Sequence, residues 1–436
     1  MGLPVLLLNM QYALYNAVLA CASPLARAWL SLSPRHGILR ARFAPPVPDG
    51  ATGAVWVHAC SVGEVSTVRA LIPALRSRFP DVPILLTTST VTGQELALMT
   101  VKDAQVTWLP FDTRRAVRRF VERLRPSVLV LVETEVWPNL VRETRSFGAP
   151  VVVVNARLSP RQFPTYRRFR RLFRPAFEML SAVGAQNEVY AERYALLGTP
   201  SKAVRVTGNL KFDAVATETD SRTRLELRIG CGYGPDTPVL VFGSTRPGDE
   251  ALAAQCWSVL RARFPELRLV IAPRHNQRVA EAMESFRGEA VVLRSALKAG
   301  EGARDARVLF VDTMGELVAF YSLATVVVIG GSFFPGVDGH NPLESAALGV
   351  ATVYGPLMGN FPEASDALLA KGGAVQVEGP EVLCETLEGL LSDPQHCRSL
   401  GTLGRRAVLE NRGATDLNAD LVAGAVAARP VGNREL

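Results

Sequence analysis

From residue 54 onward the chain alternates between short runs of β-branched residues and longer stretches with apolar side chains at three- and four-residue spacing. The runs 55–58, 83–88, 128–132 and 151–154 lack polar alternation. They read as parallel strands covered on both faces. Between them, 65–79, 114–124 and 140–147 read as amphipathic helices. A second series begins at 238–242 and continues through 267–272, 308–311 and 326–330, again with helical stretches between. The alternation breaks at 214–236, the expected interdomain segment. The pattern predicts an α/β fold of two doubly wound, Rossmann-like domains facing a cleft. In such sheets ligands bind outside the carboxyl ends of the strands, so the residues just after each strand carry the functional question.

The first 44 residues follow another pattern. Residues 2–26 contain no charged side chain, and Arg27, Arg35, Arg40 and Arg42 follow. That length is enough to cross a hydrocarbon core of about 30 Å, although Asn9, Gln11 and Asn16 interrupt it. The expectation is an N-terminal membrane anchor, spanning the bilayer or lying on it. The trailing arginines put the rest of the chain on the cytoplasmic side. The alternative is a buried first helix. Pro45, Pro46 and Pro48 with Asp49 and Gly50 then mark a linker.

Composition narrows the class. At 436 residues, 48% hydrophobic and 20% charged, the chain is neither disordered nor fibrous. Its six cysteines form no CxxC pair, which excludes a zinc ribbon or disulfide framework and suits a reducing compartment. The net charge of +7 is uneven: residues 1–215 carry +13 and residues 216–436 carry −6. A basic first half calls for an anionic partner surface.

Several strand ends carry candidate chemistry. After 55–58 comes Cys60-Ser61-Val62-Gly63-Glu64, where Ser61 can cap a helix and Glu64 occupies its first turn. Glu64 there is a general base or a helix-dipole partner. The segment also approaches a nucleophile elbow with Ser61 at its centre. After 128–132 comes Glu133-Thr134-Glu135-Val136-Trp137-Pro138-Asn139. Two carboxylates two residues apart point to opposite sides if extended; a structural ion pair is the competing reading. After 151–154 comes Asn155-Ala156-Arg157, then a stretch in which Arg167, Arg168, Arg170 and Arg171 interleave with Phe169 and Leu172. That pattern suits a membrane-surface helix contacting phosphates, or merely a solvated basic face. It lacks a nucleic-acid reader motif, so nucleic acid is not an expected partner.

In the second half, Gly243-Ser244-Thr245-Arg246, Pro273-Arg274-His275, Gly330-Gly331-Ser332 and Gly339-His340-Asn341-Pro342-Leu343-Glu344 each follow a strand or open a helix. Hydroxyls, glycine amides and cations at such junctions suit an anion, and Glu344 can accept from ribose hydroxyls. There is no P-loop, HExxH or Asp-x-Asp, and the five histidines are scattered. The default is metal-free chemistry without a cofactor.

These segments occur in one order and together resemble the 3-deoxy-D-manno-octulosonic acid (Kdo) transferases of lipopolysaccharide synthesis. Thr207-Gly208-Asn209-Leu210-Lys211-Phe212-Asp213 and Asp312-Thr313-Met314-Gly315-Glu316-Leu317 extend the likeness. The resemblance implies a GT-B fold with an N-terminal membrane anchor. It implies inverting, metal-independent transfer of Kdo from CMP-Kdo to a lipid A precursor at the inner membrane, on its cytoplasmic side. Glu64 would be the general base, with Glu133 and Glu135 also catalytic. Lys211, Ser244, Thr245, Arg274, His275, Gly331, Ser332, Asn341 and Glu344 would bind the donor. Arg157, Arg167, Arg168, Arg170 and Arg171 would meet the acceptor or the membrane. The expected domains are 1–44 (anchor and basic flank), 45–213 (acceptor), 214–236 (interdomain) and 237–436 (donor). One departure stands out: Arg246 occupies a position where the family usually has His. It keeps a positive group but cannot be a neutral donor–acceptor. The competing readings are a GT-B enzyme using a UDP-sugar and a non-catalytic, membrane-anchored lipid- or nucleotide-binding protein. Oligomeric state leaves no trace in the sequence.

Overall fold

The computed structural model describes residues 3–32, 36–302 and 305–429, with side chains from Gln11 onward. Arg35 and the last residues of the expected 237–436 domain lie outside the described residues. The chain divides into two compact units, Met1–Ala214 with Arg412–Leu436, and Val215–Asn411.

Unit one is built on a parallel sheet of seven strands: β1 (Val55–His58), β2 (Ile84–Thr88), β3 (Gln105–Trp108), β4 (Val128–Val132), β5 (Val151–Ala156), β6 (Ala182–Ala185) and β7 (Val204–Val206). Their order is β3-β2-β1-β4-β5-β6-β7. Both faces are covered, which is why β1, β4 and β5 read as unbroken apolar runs. Trp56, Leu129 and Val153 pack with Phe120 and Phe177 on one face. Val55, Val57 and Val130 pack with Leu71, Ile72 and Val422 on the other. The helices that matter for the site are α1 (Leu3–Leu32), α2 (Val62–Arg78), α3 (Pro138–Ser146), α4 (Phe163–Arg168) and α5 (Arg170–Glu178).

Unit two repeats the plan with β8 (Val239–Thr245), β9 (Arg268–Pro273), β10 (Val291–Leu293), β11 (Val308–Phe310), β12 (Val326–Ile329), β13 (Ala351–Tyr354) and β14 (Val375–Gln376), ordered β10-β11-β9-β8-β12-β13-β14. Helix α6 (Asp249–Arg263) follows β8. In unit one the chain order reverses direction between β1 and β4, in unit two between β8 and β12. A ligand finds room at such switch points.

Two expected boundaries differ. The segment 214–236 is not a bare connector, because Ser221–Gly230 is a helix and lies within unit two. The expected 237–436 domain loses its last helix, α7 (Ala414–Ala427), to unit one. The cause is specific bonding. Asp213 accepts from the Gly413 and Thr415 amides at 2.8 and 2.6 Å. Arg78 pairs with Asp416 and Asp420 at 2.8 and 3.0 Å. Asn418, fully buried, accepts from the Asn155 amide at 3.3 Å. Gly184 permits this approach, since a Cβ there would sit 2.4 Å from Asn418 Oδ1.

Helix α1 is one 30-residue helix. Among the described residues, no helix is long and apolar enough to cross a membrane. One face of α1 is tied to unit one: Tyr12 bonds Asn139, Tyr15 donates to Asp112 at 2.8 Å, and Asn16 accepts from Asn139 at 2.9 Å. The other face leaves Leu14, Val18, Leu25, Trp29 and Leu32 exposed.

Candidate functional site

At the unit-one switch point, β1 ends in His58 and β4 ends just before Glu133. Ser61 stands at the helix N-cap of α2, but its hydroxyl caps no amide. It donates instead to Glu64 Oε1 at 3.2 Å, while Glu64 Oε2 accepts the Cys60 amide at 2.7 Å. The Glu64 carboxylate thus folds back over the start of its own helix, in the manner of a capping-box acid. Among the described residues Ser61 donates to a carboxylate and meets no imidazole, which removes the nucleophile-elbow reading.

Glu133 has a φ of 60°, a left-handed backbone in a non-glycine residue. Such conformations cost about 1–3 kcal/mol and cluster at functional sites. Tyr194 holds this bend by donating to the Glu133 carbonyl at 2.7 Å. The turn brings both acids toward α2, rather than sending them to opposite sides. Glu135 accepts from the Trp137 indole at 2.8 Å, and Pro138 starts α3. Its other neighbours are His58, whose Nε2 is 3.6 Å away, and Arg42.

The electrostatics separate the acids. Burial, then the Glu133 charge, push Glu64 up to about 8 against the pull of the Cys60 amide; Glu135 adds to the rise. Burial works to raise Glu135 as well, but the His58 contact, the Trp137 indole and Arg42 outweigh it and hold this carboxyl below its usual range. Glu64 is therefore shifted toward holding a proton, and its neighbour Glu135 toward the ionised form. Cys60 Sγ lies within 4.8 Å of carboxylate oxygens of both Glu64 and Glu135. Burial and these carboxylates push its thiol up to about 12.

At the unit-two switch point the chemistry is reversed. Ser244, the penultimate residue of β8, has a φ of 56°, and Gly331 follows β12 with a φ of 68°. Arg246, Arg274 and His275 lie close enough to affect His340. Burial, then these cations, hold His340 down to about 4, so it is neutral at physiological pH. Arg278 is neutralised by Glu250 at 3.0 Å. Burial raises Glu344, which Asn341 and Arg274 partly offset, so these three side chains form one group. Asn341 also accepts the Leu343 amide at 3.1 Å, at the start of the short helix Leu343–Ala347.

Three of the residues expected to bind the donor have partners within the fold. Thr245 is fully buried and donates to Glu250 at 2.9 Å. Ser332 is fully buried, donating to the Ile329 carbonyl at 2.6 Å and accepting the Gly355 amide at 2.9 Å. Both hydroxyls brace the fold. The Gly331 amide donates to Asp249 at 2.7 Å, and the Arg246 amide to the same oxygen at 2.8 Å. Asp249, which sequence reasoning missed, gathers the two junctions; burial pushes it up to about 6. Its only sequence signal is an acid in the first turn after a strand. Lys211, grouped with the donor contacts, belongs to unit one, on the turn Leu210–Phe212. His58, Arg42, Tyr194 and Asp112 were also missed; each lies at a strand end or in a segment that local patterning leaves unmarked.

Arg167, Arg168, Arg170 and Arg171 are exposed along α4 and α5. With Phe169, Leu172, Leu14 and Val18 they line a recess of about 550 Å³ against α1. Arg157 is half-buried, and its carbonyl accepts from the Thr134 hydroxyl.

Residues 32–214 match the family model for 3-deoxy-D-manno-octulosonic-acid transferase (kdotransferase). The 3-deoxy-D-manno-octulosonic acid transferase of Haemophilus influenzae is 31% identical over 90% of both chains. That of Bordetella pertussis is 32% identical over 92% of this chain and 96% of its own. This chain belongs to the Kdo transferase family. It is a glycosyltransferase, and the acids after β1 and β4 fall within the matched segment. In fold it is similar to a glycosyltransferase from Rickettsia africae, with a TM-score of 0.58 and 11% identity over 87% of this chain and all of that one. It is also similar to UDP-GlcNAc 2-epimerase from Neisseria meningitidis, with a TM-score of 0.57 and 15% identity over 84% and 99%. Two parallel-sheet α/β domains of GT-B type are the shared feature.

Proposed function

We propose that this Kdo transferase family member is an inverting enzyme that moves Kdo from CMP-Kdo to a lipid A precursor, with Glu64 as general base. The observation that carries the reading is the Glu64 carboxylate at the unit-one switch point, pushed up to about 8 by burial and by Glu133. A base of that affinity accepts the proton of an acceptor hydroxyl as its oxygen attacks the anomeric carbon of Kdo. The bond from that carbon to the CMP phosphate breaks, and the electron pair leaves with the phosphate. Arg246 and Arg274 in unit two supply the positive field that a departing phosphate requires. The chain's own residues account for each step, so no metal is assigned a role.

The acceptor is an acylated, phosphorylated glycolipid, which favours catalysis at a membrane surface. The exposed apolar face of α1, beside the arginines of α4 and α5, supports docking flat on the cytoplasmic face of the inner membrane. The test is transfer from CMP-Kdo to a purified lipid A precursor, wild type beside Glu64→Gln, with EDTA present. Sugar addition by wild type and its loss in the variant are expected. Transfer from a UDP-sugar but not from CMP-Kdo would overturn the donor assignment.

A further inference from the structure

His58 is fully buried at the end of β1, and the reading above gives it no task. Its Nδ1 lies 3.0 Å from the Thr87 carbonyl. A carbonyl oxygen only accepts, so Nδ1 carries a hydrogen. The Thr87 hydroxyl, 3.2 Å from the same nitrogen, donates to the Val57 carbonyl and accepts the Trp56 indole, which leaves that assignment unchanged. Nε2 has no hydrogen-bond partner and faces Glu135 Oε2 at 3.6 Å. With Nδ1–H already spent, Nε2 attracts the carboxylate only when it too carries a proton, as the imidazolium. We propose that His58 is a positioning residue for the transfer reaction: it presents a proton to Glu135 and so keeps that carboxylate charged and oriented beside the base Glu64.

The inference rests on Glu64 being the base. The other groups facing Glu135 are the Trp137 indole, Arg42, Glu64, Cys60, Tyr166 and Tyr194. Of these, the indole and Arg42 also favour the ionised form, while the acids, the thiol and the phenols do not. Burial opposes ionisation most, so losing His58 lets Glu135 take up a proton. Glu135 is among the charges that raise the proton affinity of Glu64. The proposed route from His58 to the base runs through that carboxylate. Without it Glu64 becomes a weaker base, ionised at lower pH.

The experiment measures kcat and kcat/KM of the full chain against pH. It compares wild type, His58→Asn, His58→Gln, Glu135→Gln and the double variant His58→Asn/Glu135→Gln. Asn keeps the amide donor toward Thr87 and leaves nothing facing Glu135; Gln reaches toward Glu135 instead. In His58→Asn the acid limb moves down by about one pH unit, as neighbouring charges usually shift a carboxyl. Its kcat falls about tenfold, within the usual range of acid–base effects, while KM for the acceptor is unchanged. Glu135→Gln moves the limb the same way, the double variant moves it no further, and His58→Gln recovers part of the loss. A limb that stays at its wild-type position in a folded His58→Asn, or a double variant whose shifts add, overturns the proposal. If neither His58 variant folds, an unmoved limb in Glu135→Gln overturns it equally, because the effect runs through that carboxylate. Failure of the base reading is seen separately: Glu64→Gln then keeps wild-type activity, and the proposal falls with it.

Discussion

The two switch points share a topology and differ in sign. After β1 and β4, unit one gathers Glu64, Glu133 and Glu135 around a buried histidine and a half-buried thiol. After β8 and β12, unit two gathers Arg246, Arg274, His275 and a neutral His340, and spends the buried acid Asp249 on backbone amides. The same strand-end geometry therefore carries a cluster of carboxyl groups in one unit and a cluster of cations in the other. The difference comes from which residues follow the strands, not from the sheets. A left-handed residue begins each arrangement, Glu133 and Ser244. The backbone turn is common, and the side-chain chemistry is local.

The largest break in this comparison is Glu64→Gln. It keeps the shape and an acceptor oxygen for Cys60 N–H but cannot take a proton. Transfer should fall by a factor of about 10² to 10⁴, the usual size of general-base effects. The same variant sharpens the electrostatic half of the argument in thermal melting. A carboxyl raised from 4.5 to about 8 favours the folded state most below its unfolded pKa, and that contribution is lost as pH rises through about 8. Wild type should thus lose stability across that window relative to Glu64→Gln. The variant melts a few degrees higher at about pH 9, and the gap closes toward about pH 4.

On the cationic side, Arg274→Ala should raise KM for CMP-Kdo by about 10- to 100-fold, the value of one charged hydrogen bond. It should leave the acid limb of the pH–rate profile in place. A moved limb would mean that the two chemistries are not separable. Asp249→Asn tests the brace beneath the cations. Losing the carboxylate charge that holds the Arg246 and Gly331 amides should cost about 1–3 kcal/mol of unit-two stability, read as a lowered denaturation midpoint. Smallest is the surface term. Arg168→Gln or Arg171→Gln, each alone, should weaken binding to anionic vesicles by about 1 kcal/mol, in a salt-dependent manner. Transfer to a detergent-dispersed acceptor should change less. Equal losses in both assays would show that these arginines meet the acceptor itself.

Much of the fold was legible because parallel strands covered on both faces leave an unmistakable apolar run. β1 and β4 agree with the expected residues at both ends. β3, β6, β7, β10, β13 and β14 were not read. They are two to four residues long, and most carry a half-exposed or exposed position. Edge position and a fully buried small-residue strand such as Ala182–Ala185 leave no local signature. Helix α7 was read with the wrong unit for a related reason: the bonds from Asp213 and Arg78 that capture it join residues about 200 and 340 apart in sequence.

The site divides in the same way. The acids after β1 and β4, the cations after β8 and β9, and the family resemblance could all be read from residue type at a strand end, because those positions are set by the chain itself. Nothing in the sequence said that Thr245 and Ser332 turn inward, or that Asp249 and His58 stand behind the residues with an assigned role. Nor did it say that Glu64 and Glu135, both acids, are pushed in opposite directions. Those facts depend on what surrounds each side chain once it is buried. Burial and partner distance are properties of packing, and they decide which charged form a carboxyl keeps.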